Sequence, residues 1–114
     1  MTRVAFFTAP KPFVDPHIQI IQRNAIRSWM VLSDEVEVWL VGDEPGVAEA
    51  TAELGVGYIP EVERNREGTP RIDSIFNLVR QQSQAEVLCY VNADMLLFPD
   101  MLETLEIIRA QVER

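Results

Sequence analysis

The chain has 114 residues, which is enough for one domain with a single hydrophobic core and too few for two. Apolar residues make up 47% of the sequence and charged residues 25%, and this balance excludes a disordered, collagen-like or low-complexity chain. The net charge of −8 argues against general nucleic-acid binding, because an acidic protein repels a phosphate backbone.

The first part of the chain predicts two strands separated by a helix. Residues 3–8 are mostly apolar and predict a buried strand. Asp15 followed by Pro16 is typical of a helix start, and apolar residues at three- and four-residue steps predict a helix over residues 16–33. Residues 36–41 predict the second strand.

The middle of the chain predicts a shorter helix and strand. Pro45 opens the helix, and Gly55 ends it in the position where helices commonly stop. Residues 56–59 predict a third strand, and residues 60–69 a polar loop.

The last part repeats the alternation. Thr69 followed by Pro70 again resembles a cap and a first helical residue, and an apolar stripe predicts a third helix after them. Residues 87–91 predict a fourth strand, and Pro99 begins a final helix.

This β-α-β-α-β-α-β-α order predicts an α/β fold. Strands joined by helices of this length are most economically parallel, so we expect a four-stranded, mainly parallel sheet in a three-layer α/β/α arrangement, Rossmann-like, over residues 1–114 as one domain. The order of the strands is not predicted. The carboxyl ends of parallel strands share one edge, where such folds bind ligands, so residues 8–11, 42–44, 60–69 and 92–94 should meet there.

Residue types exclude several familiar sites. The sequence has neither the glycine pattern of dinucleotide-binding folds nor that of phosphate-binding loops. The turn after the first strand has no acid for a receiver domain, and Pro10 and Pro12 exclude the glycine-rich turn of a sugar nucleotidyltransferase. A single histidine, His17, and a single cysteine, Cys89, make hydrolase triads and an internal disulfide hard to build.

The sequence shows neither a membrane span nor a signal peptide. No apolar run approaches the roughly 20 residues of a membrane span. The N-terminus lacks the basic segment and apolar core of a signal peptide. We therefore expect a cytoplasmic protein with no membrane span.

Asn92 and Asp94 follow the fourth predicted strand and are separated by one residue. If the strand geometry continues, both side chains project in similar directions, at a mouth of the sheet shielded from water. Their oxygens suit a hard cation, Mn²⁺ or Mg²⁺, which usually shares its shell with substrate phosphates and would neutralise a diphosphate leaving group. The alternative is an ordinary turn, because Asn and Asp are common where strands end.

The order and spacing of the elements over nearly the whole chain resemble the glycosyltransferases of the A-type fold (GT-A), family-2-like members included, which transfer sugars from nucleoside-diphosphate donors. Their metal-binding motif Asp-x-Asp, often relaxed at its first position, directly follows a strand, and Asn92-Ala93-Asp94 is similar to it. The resemblance implies that Asp94 binds the metal and that Asn92 contacts the ribose or the metal shell.

The same resemblance implies further contacts with the donor. Asp43 follows the second strand, where these enzymes use an acid to contact the nucleobase. The turn at residues 8–10 lies where their first loop packs around the base, and charged residues near position 70 lie where donor contacts often occur. The implied nucleotide-sugar contacts are Thr8, Ala9, Pro10, Asp43, Arg71 and Asn92, with Arg64 and Arg66 in the same charged loop.

The acceptor-binding half of the family follows the motif, whereas this sequence ends about twenty residues beyond Asp94. We therefore expect an N-terminal, nucleotide-binding half that binds a donor, most readily of the UDP type, and is incomplete for catalysis. It is a fragment or a lone half, and we nominate no catalytic base. Such a half would leave an apolar face on which a second copy could pair, so a homo-oligomer is a further expectation.

Ordinary structural roles compete with these assignments. Asp43 could cap the second helix. Lys11, between two prolines, is expected to be a solvated loop cation, with a contact to phosphate as the alternative. Trp29 and Trp39 are expected to pack the first helix against the sheet, and Cys89 to be a small core residue. Surface ion pairs would explain the loop arginines Arg64, Arg66 and Arg71 beside Glu61, Glu63 and Glu67.

Two other functions remain open. Residues 34–67 are the most acidic stretch of the chain and could meet a basic partner in a non-catalytic interaction or regulatory module. A phosphotransfer or other small-molecule enzyme on the same fold is the third hypothesis, because one fold hosts many activities.

Overall fold

Four strands and four helices alternate along residues 3–112, in the predicted order. The structure is a computed structural model that describes residues 3–112, with side chains described up to residue 108. The elements are β1 (Val4–Thr8), α1 (Pro16–Met30), β2 (Val36–Val41), α2 (Val47–Leu54), β3 (Gly57–Ile59), α3 (Ile72–Gln82), β4 (Val87–Tyr90) and α4 (Asp100–Val112).

The sheet is parallel throughout, with the strand order β3-β2-β1-β4. β1 lies in the interior and pairs with β2 on one side and β4 on the other, with Val4 opposite both Val36 and Val87. All five residues of β1 are buried, as expected of a strand covered on both faces. The predicted α/β class and parallel sheet are confirmed.

The helices form layers on both faces of the sheet. Alternate residues of β1 point to opposite sides, so that Phe6 packs with α1, α2 and α4, while Phe7 packs with α3. On the first face Phe6 meets Trp29, with ring centroids 6.5 Å apart. On the second face Phe7 meets the edge of Phe76 at 4.8 Å.

Two of the predicted helix starts need correction, while the start of α1 is confirmed. The Asp15 carboxylate accepts hydrogen bonds from the backbone of His17 at 2.8 Å and Ile18 at 3.3 Å. α2 begins two residues after Pro45, because Gly46 takes the cap position with a left-handed φ of 83°. α3 begins at Ile72 after an Arg71 cap, so the prediction of Thr69 as the cap is wrong.

The two tryptophans lie on opposite faces of the sheet. Trp29 packs α1 against the sheet, as predicted. Trp39 instead packs on the α3 face, directly over Gly57, where an added Cβ atom would clash with the indole. The expectation that both pack the first helix is therefore wrong for Trp39. Cys89 is half-buried and packs against the α1 face.

The described part of the chain, residues 3–112, contains no helix that is long and apolar enough to span a membrane. Large apolar side chains stay exposed after β4 and on α4. They are Met95, Leu96, Phe98, Ile107 and Ile108. Pairing of two copies over such a surface stays a prediction.

Candidate functional site

The strand order locates the point where the chain reverses its direction across the sheet. From β1 the chain moves outward to β2 and β3, and it then returns to place β4 on the other side of β1. In open parallel sheets, ligands bind in the crevice outside the carboxyl ends of the two strands at this reversal. For this chain those strands are β1 and β4, which end at Thr8 and Tyr90.

A cavity of about 420 Å³ opens at this position. We call it the switch-point cavity. Its walls come from the end of β1 and the loop after it, from α1, and from the segment that follows β4. The lining residues are Thr8, Ala9, Lys11, Ile18, Ile21, Gln22, Tyr90, Asn92, Ala93 and Asp94.

Thr8 is the fully buried polar residue of this cavity. Its side chain is 0% exposed, and its Oγ1 atom has no hydrogen-bond partner among residues 3–112. A buried hydroxyl without a partner is costly, and such groups in folded proteins call for an explanation. Because Thr8 also lines the switch-point cavity, a polar group of a ligand could supply the missing partner.

Asn92 and Asp94 reach the same cavity, although not in the way the sequence suggested. β4 ends at Tyr90, and residues 92–95 form a turn in which the Met95 amide donates to the Asn92 carbonyl at 3.1 Å. The strand geometry does not continue, and both side chains are exposed rather than shielded from water. The prediction that continued strand geometry directs both side chains the same way is therefore wrong, although Asn92 and Asp94 both line the cavity.

Side chains of α1 anchor the segment directly after this turn. The Trp29 indole donates from Nε1 to the Met95 carbonyl at 2.8 Å. The Leu97 amide donates to the Ser28 hydroxyl at 3.0 Å. These bonds fix the chain just beyond Asp94 to the helix that forms another wall of the cavity.

A second helix-to-loop contact fixes the segment after β1. Gln22 on α1 is buried, and its side-chain amide pairs with both backbone polar groups of Lys11. Ala9 and Lys11 line the cavity, whereas Pro10 is buried and does not.

Asp43 and Arg71, predicted as donor contacts, lie outside the switch-point cavity. Arg64 bridges Asp43 at 3.1 Å and Glu44 at 2.8 Å, so it pairs with the loop after β2 rather than with the glutamates of its own loop. Arg71 pairs with Glu63 at 3.4 Å, as one alternative predicted, and with an acid at the start of α3. Asp43 makes no capping hydrogen bond to α2, so its structural alternative is wrong.

The polar loop that contains Arg64 has a structure of its own. Its ends pair in an antiparallel bridge between Arg64 and Pro70. Asn65 closes the tip, because its side chain accepts from the amides of Glu67 and Thr69, each at 3.0 Å. The loop is thus ordered by internal hydrogen bonds and ion pairs.

The donor atoms of the cavity suit a metal that a substrate helps to hold. Within the described residues no three His, Cys, Asp or Glu side chains come together as a metal-binding group. Asp94 is the acid of the cavity lining, and Asn92 offers an amide oxygen. Mg²⁺ is commonly held by one or two carboxylates together with substrate phosphates, and this donor set fits that mode rather than an all-protein cage.

Two groups with a shifted pKa, Tyr58 and Cys89, lie outside the cavity. The pKa of the Tyr58 phenol is raised above its ordinary value by burial, and further by the negative charges of Asp43 and Glu49. The pKa of the Cys89 thiol is raised by burial. Neither group lines the cavity.

Comparison of the chain with protein-family models, with curated proteins and with solved structures gives no match. Support for a function therefore comes from the sequence and from the residues of the switch-point cavity. Sequence reasoning missed Ile18, Ile21, Gln22 and Tyr90 as lining residues. Gln22 carried a usable signal, because it is a polar residue within the apolar stripe of α1.

Proposed function

We propose that this chain is the nucleotide-binding half of a glycosyltransferase of the GT-A type and binds a nucleoside-diphosphate sugar of the UDP type. Asp94, with Asn92, would hold Mn²⁺ or Mg²⁺ against the diphosphate, and the ion would neutralise charge on the leaving group. A cytoplasmic location belongs to the same proposal. The proposal covers donor binding alone and assigns no base for the acceptor.

One observation carries the proposal: Asn92, Asp94 and Thr8, whose buried hydroxyl has no partner among the described residues, line one cavity at the strand reversal between β1 and β4. The volume of about 420 Å³ lies within the usual range of small-molecule sites. The non-catalytic alternative has less support, because several acids of residues 34–67 are already paired within the chain. They are Glu35, Asp43, Glu44, Glu53 and Glu63.

Thermal unfolding with UDP and Mn²⁺ tests the proposal. Ligand at a hundred times its Kd stabilises a folded protein by about 2.7 kcal/mol, which should raise the Tm by roughly 10 °C in a domain of this size. A chelator should abolish most of this shift. Asp94→Asn should do the same, whereas Asp34→Asn, at an exposed residue just before β2 and hence at the opposite edge of the sheet, should leave it unchanged.

Two results would contradict the proposal. The first is folded protein whose Tm does not respond to UDP, GDP or TDP with either metal. The second is a shift that Asp34→Asn and Asp94→Asn reduce equally, because the effect would then reflect overall charge.

A further inference from the structure

We infer that Lys11 contacts the phosphate groups of the ligand and that Gln22 is the positioning residue that holds Lys11 in place. This inference rests on the proposed function, because it takes a nucleoside diphosphate as the occupant of the switch-point cavity. It adds a cationic contact on the wall formed by the loop after β1.

The charges around the cavity call for such a contact. Lys11 is the lining residue with a positive charge, and Asp94 is the one with a negative charge. Lys11 is exposed and forms no ion pair within residues 3–112. Arg27, Arg66 and Arg80 form none among these residues either, but they do not line the cavity. A divalent ion shared with one carboxylate leaves a diphosphate with residual negative charge, and an unpaired ammonium is a common phosphate partner.

Two hydrogen bonds with Gln22 fix the backbone of Lys11. The Lys11 amide donates to Gln22 Oε1 at 2.8 Å, and Gln22 Nε2 donates to the Lys11 carbonyl at 3.0 Å. The prolines on both sides of Lys11 restrict φ at their own positions and lack amide hydrogens. The lysine side chain therefore leaves the loop from a fixed point beside the cavity.

Gln22 is a polar residue in an apolar environment, and this location calls for an explanation. It is 3% exposed on the apolar face of α1, where an aliphatic side chain would pack without needing hydrogen-bond partners. Its side-chain amide bonds to both the backbone N–H and the backbone carbonyl of Lys11, which lines the cavity. A positioning role explains both its burial and its choice of partner.

Calorimetry with two ligands tests the contact. Lys11→Met should weaken binding of UDP with Mn²⁺ about tenfold or more, the usual loss for a hydrogen bond to a charged group, while binding of uridine stays the same. Arg27→Met is the matched control, since Arg27 is exposed on α1 and does not line the cavity. Equal UDP affinity in wild type and Lys11→Met would overturn the assignment.

A double-mutant cycle tests the positioning role of Gln22. Gln22→Met, with its fold checked by circular dichroism, should weaken UDP binding about threefold or more. In the Lys11→Met background the same substitution should have little further effect, because Gln22 acts through Lys11. Additive losses would show that Gln22 acts independently of Lys11 and would overturn its role as a positioning residue.

Amine acylation separates this inference from the proposed function. Lys11 is the only lysine of the sequence, so acetic anhydride with peptide mapping reports on it alone, with the N-terminal amine as internal reference. UDP with Mn²⁺ should slow acylation of Lys11 and leave the reference rate unchanged. If UDP does not bind but pyrophosphate protects Lys11, the proposed function fails and the phosphate contact stands. If neither protects Lys11, the inference fails.

Discussion

Thr8 is the residue at which stability and ligand binding should change in opposite directions. Its hydroxyl is fully buried at the end of β1 and has no partner within the described residues. Burying an unpaired hydroxyl costs about 1–3 kcal/mol, and valine offers the same branched shape without that cost. Thr8→Val should therefore raise the free energy of unfolding by about 1–2 kcal/mol and the Tm by about 4–8 °C.

A second buried threonine provides a control of opposite sign. The Thr51 hydroxyl is buried in α2 and donates to the carbonyls of Val47 and Ala48, each at 2.8 Å. Thr51→Val removes these bonds and should lower the free energy of unfolding by about 1 kcal/mol. Urea unfolding followed by circular dichroism measures both variants, and equal m-values would show that both act on the folded state.

Binding completes the test of Thr8. The variant with the more stable fold should bind UDP with Mn²⁺ about three- to tenfold more weakly, because the ligand loses a buried hydrogen-bonding partner. A Thr8→Val protein that is less stable than wild type would refute the reasoning, since its hydroxyl would then have a partner in the folded chain. Increased stability with unchanged affinity would remove Thr8 from the site.

The remaining predictions concern the framework around the cavity. Trp29→Phe should lower the free energy of unfolding by about 2–3 kcal/mol, measured in urea, because it leaves a cavity and an unpaired carbonyl. Gly46→Ala should lower it by more than 1 kcal/mol, because φ is 83° and the added Cβ would lie 2.8 Å from the Phe13 carbonyl oxygen. The free energy of unfolding should fall as pH rises above about 9, because the pKa values of Cys89 and Tyr58 are raised in the folded state. The stabilisation from these two groups is complete below their ordinary pKa values of 9.0 and 10.0. It is lost as pH rises through their folded-state pKa values. In urea unfolding measured at a series of pH values, the free energy of unfolding of Cys89→Ala should fall less steeply with pH than that of wild type.

The order of the elements was predictable because each depends on local pattern. Apolar periodicity and the Asp15–Pro16 cap are contained within a few residues, and the structure reproduces them. The strand order was not predictable, because the pairing of β4 with β1 depends on contacts between distant segments. That order is what identifies the switch point and unites Thr8 with Asp94.

The errors have physical causes of the same kind. Alternation along β2 puts Trp39 on the face of Val41, opposite Val38 and Leu40, but it does not say which helix covers each face. Arg64 has acids nearby in sequence, but its loop closes on itself and turns the guanidinium toward Asp43 and Glu44 instead. Lys11 is exposed, as expected of a loop cation, but nothing local reveals the pairing of its backbone with Gln22, eleven residues away.

Paramagnetic broadening by Mn²⁺ tests the central claim most directly. In amide spectra of the ¹⁵N-labelled chain with UDP, substoichiometric Mn²⁺ should first erase the signals of Thr8, Ala9, Lys11 and residues 92–94. Signals from the opposite edge of the sheet, such as Asp34, should persist. Broadening centred on the acidic pair Asp43 and Glu44, or spread evenly over the surface acids, would contradict a metal-assisted diphosphate site at the switch-point cavity.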